Sequence, residues 1–195
     1  MEAIYRLRFK VYAKQRKLIR EEDYPSGLES DEYDSHSIHF VALNFEDTVV
    51  ATARMILTDE KPSPLLKSFP YITHQHNIAP GTITEISRFL ICKKLSKHPH
   101  PNNRMTRYQQ FPTLSCRAII VYGLCREIFQ ESKRRGITHW GALMEKSLMG
   151  LLRIYGFRMK CVGEDIDLFG PVRPYLGSLE DSDVAELWFL KSLLE

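Results

Sequence analysis

Several charged side chains stand at positions where the pattern around them asks for apolar ones. In residues 49–57 a two-residue alternation puts Arg54 beside Val50 and Ile56. In 84–91 the same alternation puts Arg88 beside Ile86 and Leu90, and Glu85 beside Ile83 and Phe89. Arg8 lies on the apolar stripe Ile4, Leu7, Val11 of the first helix and needs a carboxylate partner there. Asp31 and Asp34, three residues apart in DEYD, can supply carboxylates on one side of a turn. Each charge taken alone fits a structural ion pair or a strand end near solvent. Together they point to a polar site in a sheet crevice. Other candidates are weaker. His74, His76, His98 and His100 lack a Cys or carboxylate at metal-site spacing and read as solvated loop residues, so no metal is expected. Cys92 has no activating partner in its vicinity and reads as a core thiol. The chain contains no GxxxxGK[ST], GxGxxG or GxSxG motif.

The elements that must carry these residues follow from periodicity. Ile4, Leu7, Val11 and Leu18 predict an amphipathic helix over 2–18, and a natural start upstream of Met1 is compatible with it. Pro25 and Gly27 make 21–34 a loop with a turn around Asp31–Asp34. Strands follow at 38–44 and 48–57, joined by a hairpin turn at Phe45–Glu46–Asp47. Four prolines predict loop over 58–82, with a third strand at 84–91 and a long polar loop at 92–113. From Leu114 the reading is a helix ending at Gly136, a strand at 137–143, a helix stopped by Gly156 and a strand at 157–163. The remainder, 164–195, contains a Pro/Gly turn at 170–177 and an apolar ending of ambiguous type. One mixed sheet flanked by helices, a single domain over 1–195, accounts for the chain.

Composition narrows the functional classes. At 195 residues, 44% hydrophobic and 26% charged, the chain has the makeup of one globular core. No apolar run spans a bilayer, and seven Lys/Arg in the first 20 residues interrupt any secretory h-region. Four scattered cysteines without a CxxC pair read as free thiols of a cytoplasmic protein. A net charge of +3 without an aromatic-studded basic motif argues against nucleic acid. The charge is uneven, however. Residues 21–34 hold seven Asp/Glu, and 93–107 hold five Lys/Arg and no acid, a patch suited to an acidic protein partner.

Read together, LRFKVY (7–12), SDEYDSHSIHF (30–40), VVATARMIL (49–57), EISRF (85–89) and THWGALMEKSLMGLLRIYGF (138–157) resemble the acyltransferases associated with the PEP-CTERM/exosortase system. The same skeleton, more loosely, is similar to acyl-homoserine-lactone synthases and long-chain N-acyl amino acid synthases. The resemblance covers about residues 4–175 and is carried by the combination of segments. It implies a GNAT-like acyl-CoA N-acyltransferase fold with a mostly antiparallel sheet, and a V-shaped opening between central strands that admits an acyl thioester. It also implies one polar network made here of Arg8, Asp31, Asp34, Arg54, Glu85 and Arg88, with Ser87 and Phe89 beside it at the substrate. The lactone-synthase pattern has an aromatic after the first helix where Leu18 stands here. That departure points from S-adenosylmethionine toward an amino acid or another small amine as acceptor.

An amine attacking a thioester must lose a proton, so a carboxylate near the crevice is a reasonable base, and Glu85 is the candidate, with Arg88 beside it. Typical GNAT enzymes cradle the coenzyme A pyrophosphate with an R/QxxGxG/A turn, and the only glycine between Cys92 and Gly136 is Gly123. The missing turn, together with Lys93, Lys94, Lys97, Arg104 and Arg107, favours an acyl carrier protein as donor, with acyl-CoA as the alternative and no tightly bound cofactor. The leading expectation is an N-acyltransferase of long- or medium-chain acyl groups. A CoA-dependent acetyltransferase and a non-catalytic acyl-binding module are the alternatives.

Overall fold

The structure is a computed structural model, and it describes residues 1–93, 116–168 and 170–182. Helix α1 (Glu2–Phe9) continues directly into a π-helical stretch, Lys10–Gln15. Short 3-10 turns follow at Glu21–Asp23 and Asp34–His36. The strands and helices then alternate as β1 (Ser37–Leu43), β2 (Val49–Leu57), α2 (Pro64–Ser68), α3 (Ile72–Gln75) and β3 (Ile83–Ile91). After them come α4 (Cys116–Arg134), β4 (His139–Met144), α5 (Lys146–Ile154), β5 (Lys160–Cys161), β6 (Ile166–Asp167) and β7 (Pro171–Ser178). The sheet order is β1-β2-β3-β4-β7-β5, with β6 also pairing β7. Among the described residues only β3 and β4 run parallel, and every other pair is antiparallel. The mixed, mostly antiparallel sheet flanked by helices is the one expected from the sequence.

One face of the sheet is a dry core. Ala53, Met55, Ile86, Trp140 and Ala142 pack there against Val121, Cys125 and Ile128 of α4 and Met149 and Leu152 of α5. The Trp140 indole stacks on Phe157 with centroids 4.5 Å apart, and its N–H donates to Ser132 Oγ at 2.8 Å. Ser132 in turn donates to Ile128 O, so the polar handle of a fully buried ring is satisfied. Helix α4 ends as its basic last turn predicted. Gly136, at φ +69°, takes the left-handed turn that returns its N–H to Lys133 O.

The opposite face is divided. Leu7 and Val11 cover Leu90 and Cys92, while α2 and α3 bring Leu65, Phe69 and Ile72 onto Ile83. The proline-rich 58–82, read as loop, thus holds two short helices. Ser63 caps α2 by accepting from Leu66 N, and Pro64 occupies the first turn, where a missing N–H costs nothing. Gly141 makes room on this face for Leu65, whose side chain would have to shift to admit a Cβ there. The expected Pro/Gly turn at 170–177 is instead strand β7. Pro171 opens it, and Pro174, which has no N–H to give, takes part on the β5 side through its carbonyl, which accepts from the Val162 N–H at 3.1 Å. The expected strand at 157–163 shrinks to two paired residues.

Two irregularities position the site. Strands β3 and β4 pair only at Ile83↔His139, Thr84↔Trp140 and Glu85↔Gly141. Beyond that, β3 stays with β2 and β4 with β7, so the two central strands part at Glu85. The second is a β-bulge. Arg54 pairs with Ser87 but Thr52 with Leu90, so one extra residue sits on β3, and Arg88 takes a left-handed backbone at φ 50°. This corrects the alternation expected for 84–91. Ile86 and Phe89 join the dry core, whereas Leu90 packs under α1, so Arg88 does not share a face with both Ile86 and Leu90.

Candidate active site

Arg54, Glu85 and Ser87 share the face covered by α1 and α2, because Arg54 pairs with Ser87 and Ile56 with Glu85 across β2 and β3. Arg54 Nε donates to Ser87 Oγ at 3.0 Å, and its Nη1 donates to Asp31 Oδ1 at 2.5 Å and Asp34 Oδ1 at 2.8 Å. Arg8 reaches the same Asp34 oxygen from α1 at 2.6 Å and also donates through Nε to Glu29. Arg88 completes the ring. Its Nη2 donates to Glu29 Oε1 at 2.8 Å and Asp31 Oδ2 at 2.9 Å, and its Nε to Glu29 Oε1 at 3.2 Å. Three guanidinium groups therefore interlock with three carboxylates.

The turn that brings the acids in is local. The Asp31 N–H donates to Asp34 Oδ2 at 2.7 Å, and the Tyr33 N–H donates to Asp31 Oδ1 at 2.9 Å, as expected where Asp side chains fold back on their own backbone. Burial alone would raise both Asp carboxyls. Their partners outweigh it, Arg54 for Asp31 and Arg8 for Asp34, and both end below the usual carboxylate range. Burial likewise lowers Arg88, but Glu29 and Asp31 reverse this and its pKa lies above the ordinary arginine value. His39 on β1 places Nε2 3.3 Å from Asp34 O, and burial pulls its pKa down, so the ring is neutral beside the network.

Glu85 differs from the other acids. It is 3% exposed and sits where β3 and β4 part. Its pKa is raised by burial, against the opposing pull of the Leu65 N–H and the Ser63 hydroxyl. The Leu65 N–H donates to Glu85 Oε2 at 2.7 Å. Arg54 and Arg88 act on Glu85 only through space. A carboxylate pushed upward is a better proton acceptor than one clamped by guanidinium groups.

The structure thus brings together Arg8, Asp31, Asp34, Arg54, Ser87 and Arg88, with Glu85 adjoining. Phe89 lies across the sheet against the dry core, turned there by the bulge. Lys93 is exposed just past β3, and its carbonyl and that of Cys92 accept from Arg117 of α4 at 3.2 Å. Lys94, Lys97, Arg104 and Arg107 lie outside the described residues. Sequence reasoning missed Glu29, one of seven acids in 21–34. The signal was charge balance, since three buried arginines need more than two aspartates. It also missed the α2 N-terminus, whose Ser63 and Leu65 hold Glu85. Among the described residues no group of three or more His, Cys, Asp or Glu is arranged to hold a metal, and no helix is long and apolar enough to cross a membrane.

A family model described as N-acyl amino acid synthase FeeM matches residues 3–133. Among solved structures, BjaI, described as a CoA-dependent acyl-homoserine lactone synthase with SAM and isopentyl-CoA, superposes with a TM-score of 0.65. It is 21% identical, and the match covers 96% of this chain and 79% of that one. TofI, solved in a ternary complex with an inhibitor and MTA, gives 0.66 at 19% identity, covering 95% of this chain and 88% of its own. A Lactobacillus plantarum protein described as an N-acetyltransferase gives 0.53 at 16% identity, covering 91% and 89%. At these identities the structural likeness shows a shared GNAT-like fold. No curated protein matches the sequence.

Proposed function

The chain belongs to the N-acyl amino acid synthase family of FeeM and is an acyltransferase, and from that premise we propose that it transfers a medium- or long-chain acyl group from a thioester to the amine of an amino acid. The observation that carries this reading is Glu85, a buried carboxylate of raised pKa at the parting of β3 and β4. A thioester carbonyl seated in that opening lies open to an amine on the Glu85 side. The amine nitrogen attacks the carbonyl carbon, Glu85 takes the amine proton directly or through a water, and the C–S bond breaks to release the thiol with a proton returned to sulfur. Backbone N–H groups of the parted strands stabilise the oxyanion. The three-arginine, three-carboxylate network holds the acceptor beside Glu85. Phe89 drops out of the acceptor pocket in this account.

For the donor, the exposed Lys93 and the basic run that follows it in sequence support an acidic acyl carrier protein, in a reaction placed in the cytoplasm. The printed description of BjaI as CoA-dependent favours acyl-CoA as the second reading. The narrower likeness to exosortase-associated acyltransferases rests on the sequence segments quoted above.

The test is product identification. Purified protein is incubated with the proteinogenic amino acids and with acyl-carrier protein or acyl-CoA of short, medium and long chain, and products are read by mass spectrometry. The expected result is an N-acyl amino acid formed faster from the carrier than from CoA. Thioester cleavage without any acylated amine, or none at all, would overturn the reading.

A further inference from the structure

Of the six charged groups in the network, Arg8, Glu29, Asp34 and Arg54 have side chains no more than 4% exposed. Only Arg88, at 19%, and Asp31, at 25%, reach the surface of the site, and they lie side by side with opposite charge. A ligand therefore meets a guanidinium and a carboxylate together, a match for a zwitterion carrying both a carboxylate and an amine. Arg88 sits on a bulge at φ 50°, a backbone that side-chain-bearing residues seldom adopt. Glu29 fixes the direction of its side chain. Its Oε1 takes both Nε and Nη2 of Arg88, while its Oε2 is held by the fully buried Arg8. The Tyr12 ring, 5.6 Å from the guanidinium carbon, supports the group from another side. With Nε and Nη2 engaged, Nη1 is the part of Arg88 that makes no hydrogen bond among the described residues.

We propose that Glu29 is a positioning residue that aims Arg88 Nη1 at the carboxylate of the acceptor, and so makes the enzyme select amino acids over plain amines. This rests on the acyl-transfer reading above. The acceptor amine then falls beside Asp31, on the side of the network that Ser87 and Arg54 join to Glu85's strand.

The experiment compares two acceptors: the amino acid that the wild type uses best, and the primary amine left when its carboxylate is removed. Glu29→Gln and Glu29→Asp are assayed beside the wild type, with thermal melts for each. Wild type should prefer the amino acid, and Glu29→Gln should lower the ratio of the two kcat/KM values about 10- to 100-fold, as loss of a charge-assisted hydrogen bond does. The loss should appear in KM for the amino acid more than in kcat. Glu29→Asp keeps the charge and should recover part of the ratio. If Glu29→Gln fails to fold, the drop in ratio for a folded Glu29→Asp carries the test. A folded variant that slows both acceptors equally, or a wild type indifferent to the carboxylate, overturns the positioning role while leaving acyl transfer intact. A wild type that acylates neither acceptor removes both proposals.

Discussion

The two faces of β2 and β3 are built from neighbouring residues and do opposite work. Met55 and Ile86 point into a dry core closed by α4, α5 and the Trp140 ring. One residue away, Arg54 and Ser87 point into a set of buried charges closed by α1 and the acidic turn. The dry face needs only apolar groups of the right volume. The charged face strips six ionised groups of most of their water, and an apolar substitute of the same shape would often be as stable or more so. Such an arrangement is therefore weak as a source of stability and informative as a sign of function. It also carries the irregular features, the bulge at Arg88 and the parting of strands at Glu85. Regular pairing serves the fold, and its interruption serves the site.

Removing the shared anion of the charged face should give the largest loss of stability. Asp34 Oδ1 serves both Arg8 and Arg54, so Asp34→Asn leaves two buried guanidinium groups short of a partner and should cost about 3–5 kcal/mol. In a protein of this size that lowers Tm by roughly 10 °C. The wild type should show the same term in acid. A carboxyl held below its ordinary pKa adds stability above the unfolded value of about 3.9, and this is lost as pH falls through the lower folded value. Denaturant midpoints that do not fall between about pH 4 and more acidic buffers would break this half of the comparison.

Met55→Ala tests the other half. It empties a fully buried position of the dry core and should cost about 2–5 kcal/mol, while kcat and KM at a temperature where the variant is folded stay near wild type. Altered acceptor kinetics in folded Met55→Ala would show that the faces are not separable. Asp31→Asn should do the reverse, with a smaller change in the melt and a clear rise in KM for the acceptor, because Asp31 is the partly exposed carboxylate of the network. The expected outcome is a division of labour between the two aspartates of DEYD, Asp34 toward the fold and Asp31 toward the acceptor. Equal melts for the two Asn variants would contradict that division.

Much of the charged face is legible in the sequence because a charge at an apolar position is conspicuous against a periodic background. Arg8, Arg54 and Arg88 stand out in this way. Glu29 does not, since it lies in an aperiodic acidic segment where nothing distinguishes a buried acid from a solvated one. The bulge is hidden for a different reason. Residues 83–91 alternate well enough to read as one regular strand, and only pairing with β2 shows that the register slips between Ser87 and Leu90. The family resemblance implies Phe89 at the substrate, and the slip turns it to the opposite face, against the dry core. Strand β7 is hidden because Pro171, Pro174 and Gly177 oppose strand locally, while pairing of residues 173–178 with β4 and of 171–172 with β6 overrides them.

The central claim is that the charged face acts through Glu85, and the pH dependence of kcat/KM in wild type and Glu85→Gln tests it most directly. The Gln carbonyl can still accept from the Leu65 N–H, so the variant should fold. In the wild type a base must be unprotonated, so activity should rise with pH along an acid limb centred above the ordinary glutamate value of about 4.3, following the upward push of burial. Glu85→Gln should lose that limb and about 10²- to 10⁴-fold in turnover. A folded Gln variant that keeps the limb and near wild-type turnover would contradict the account.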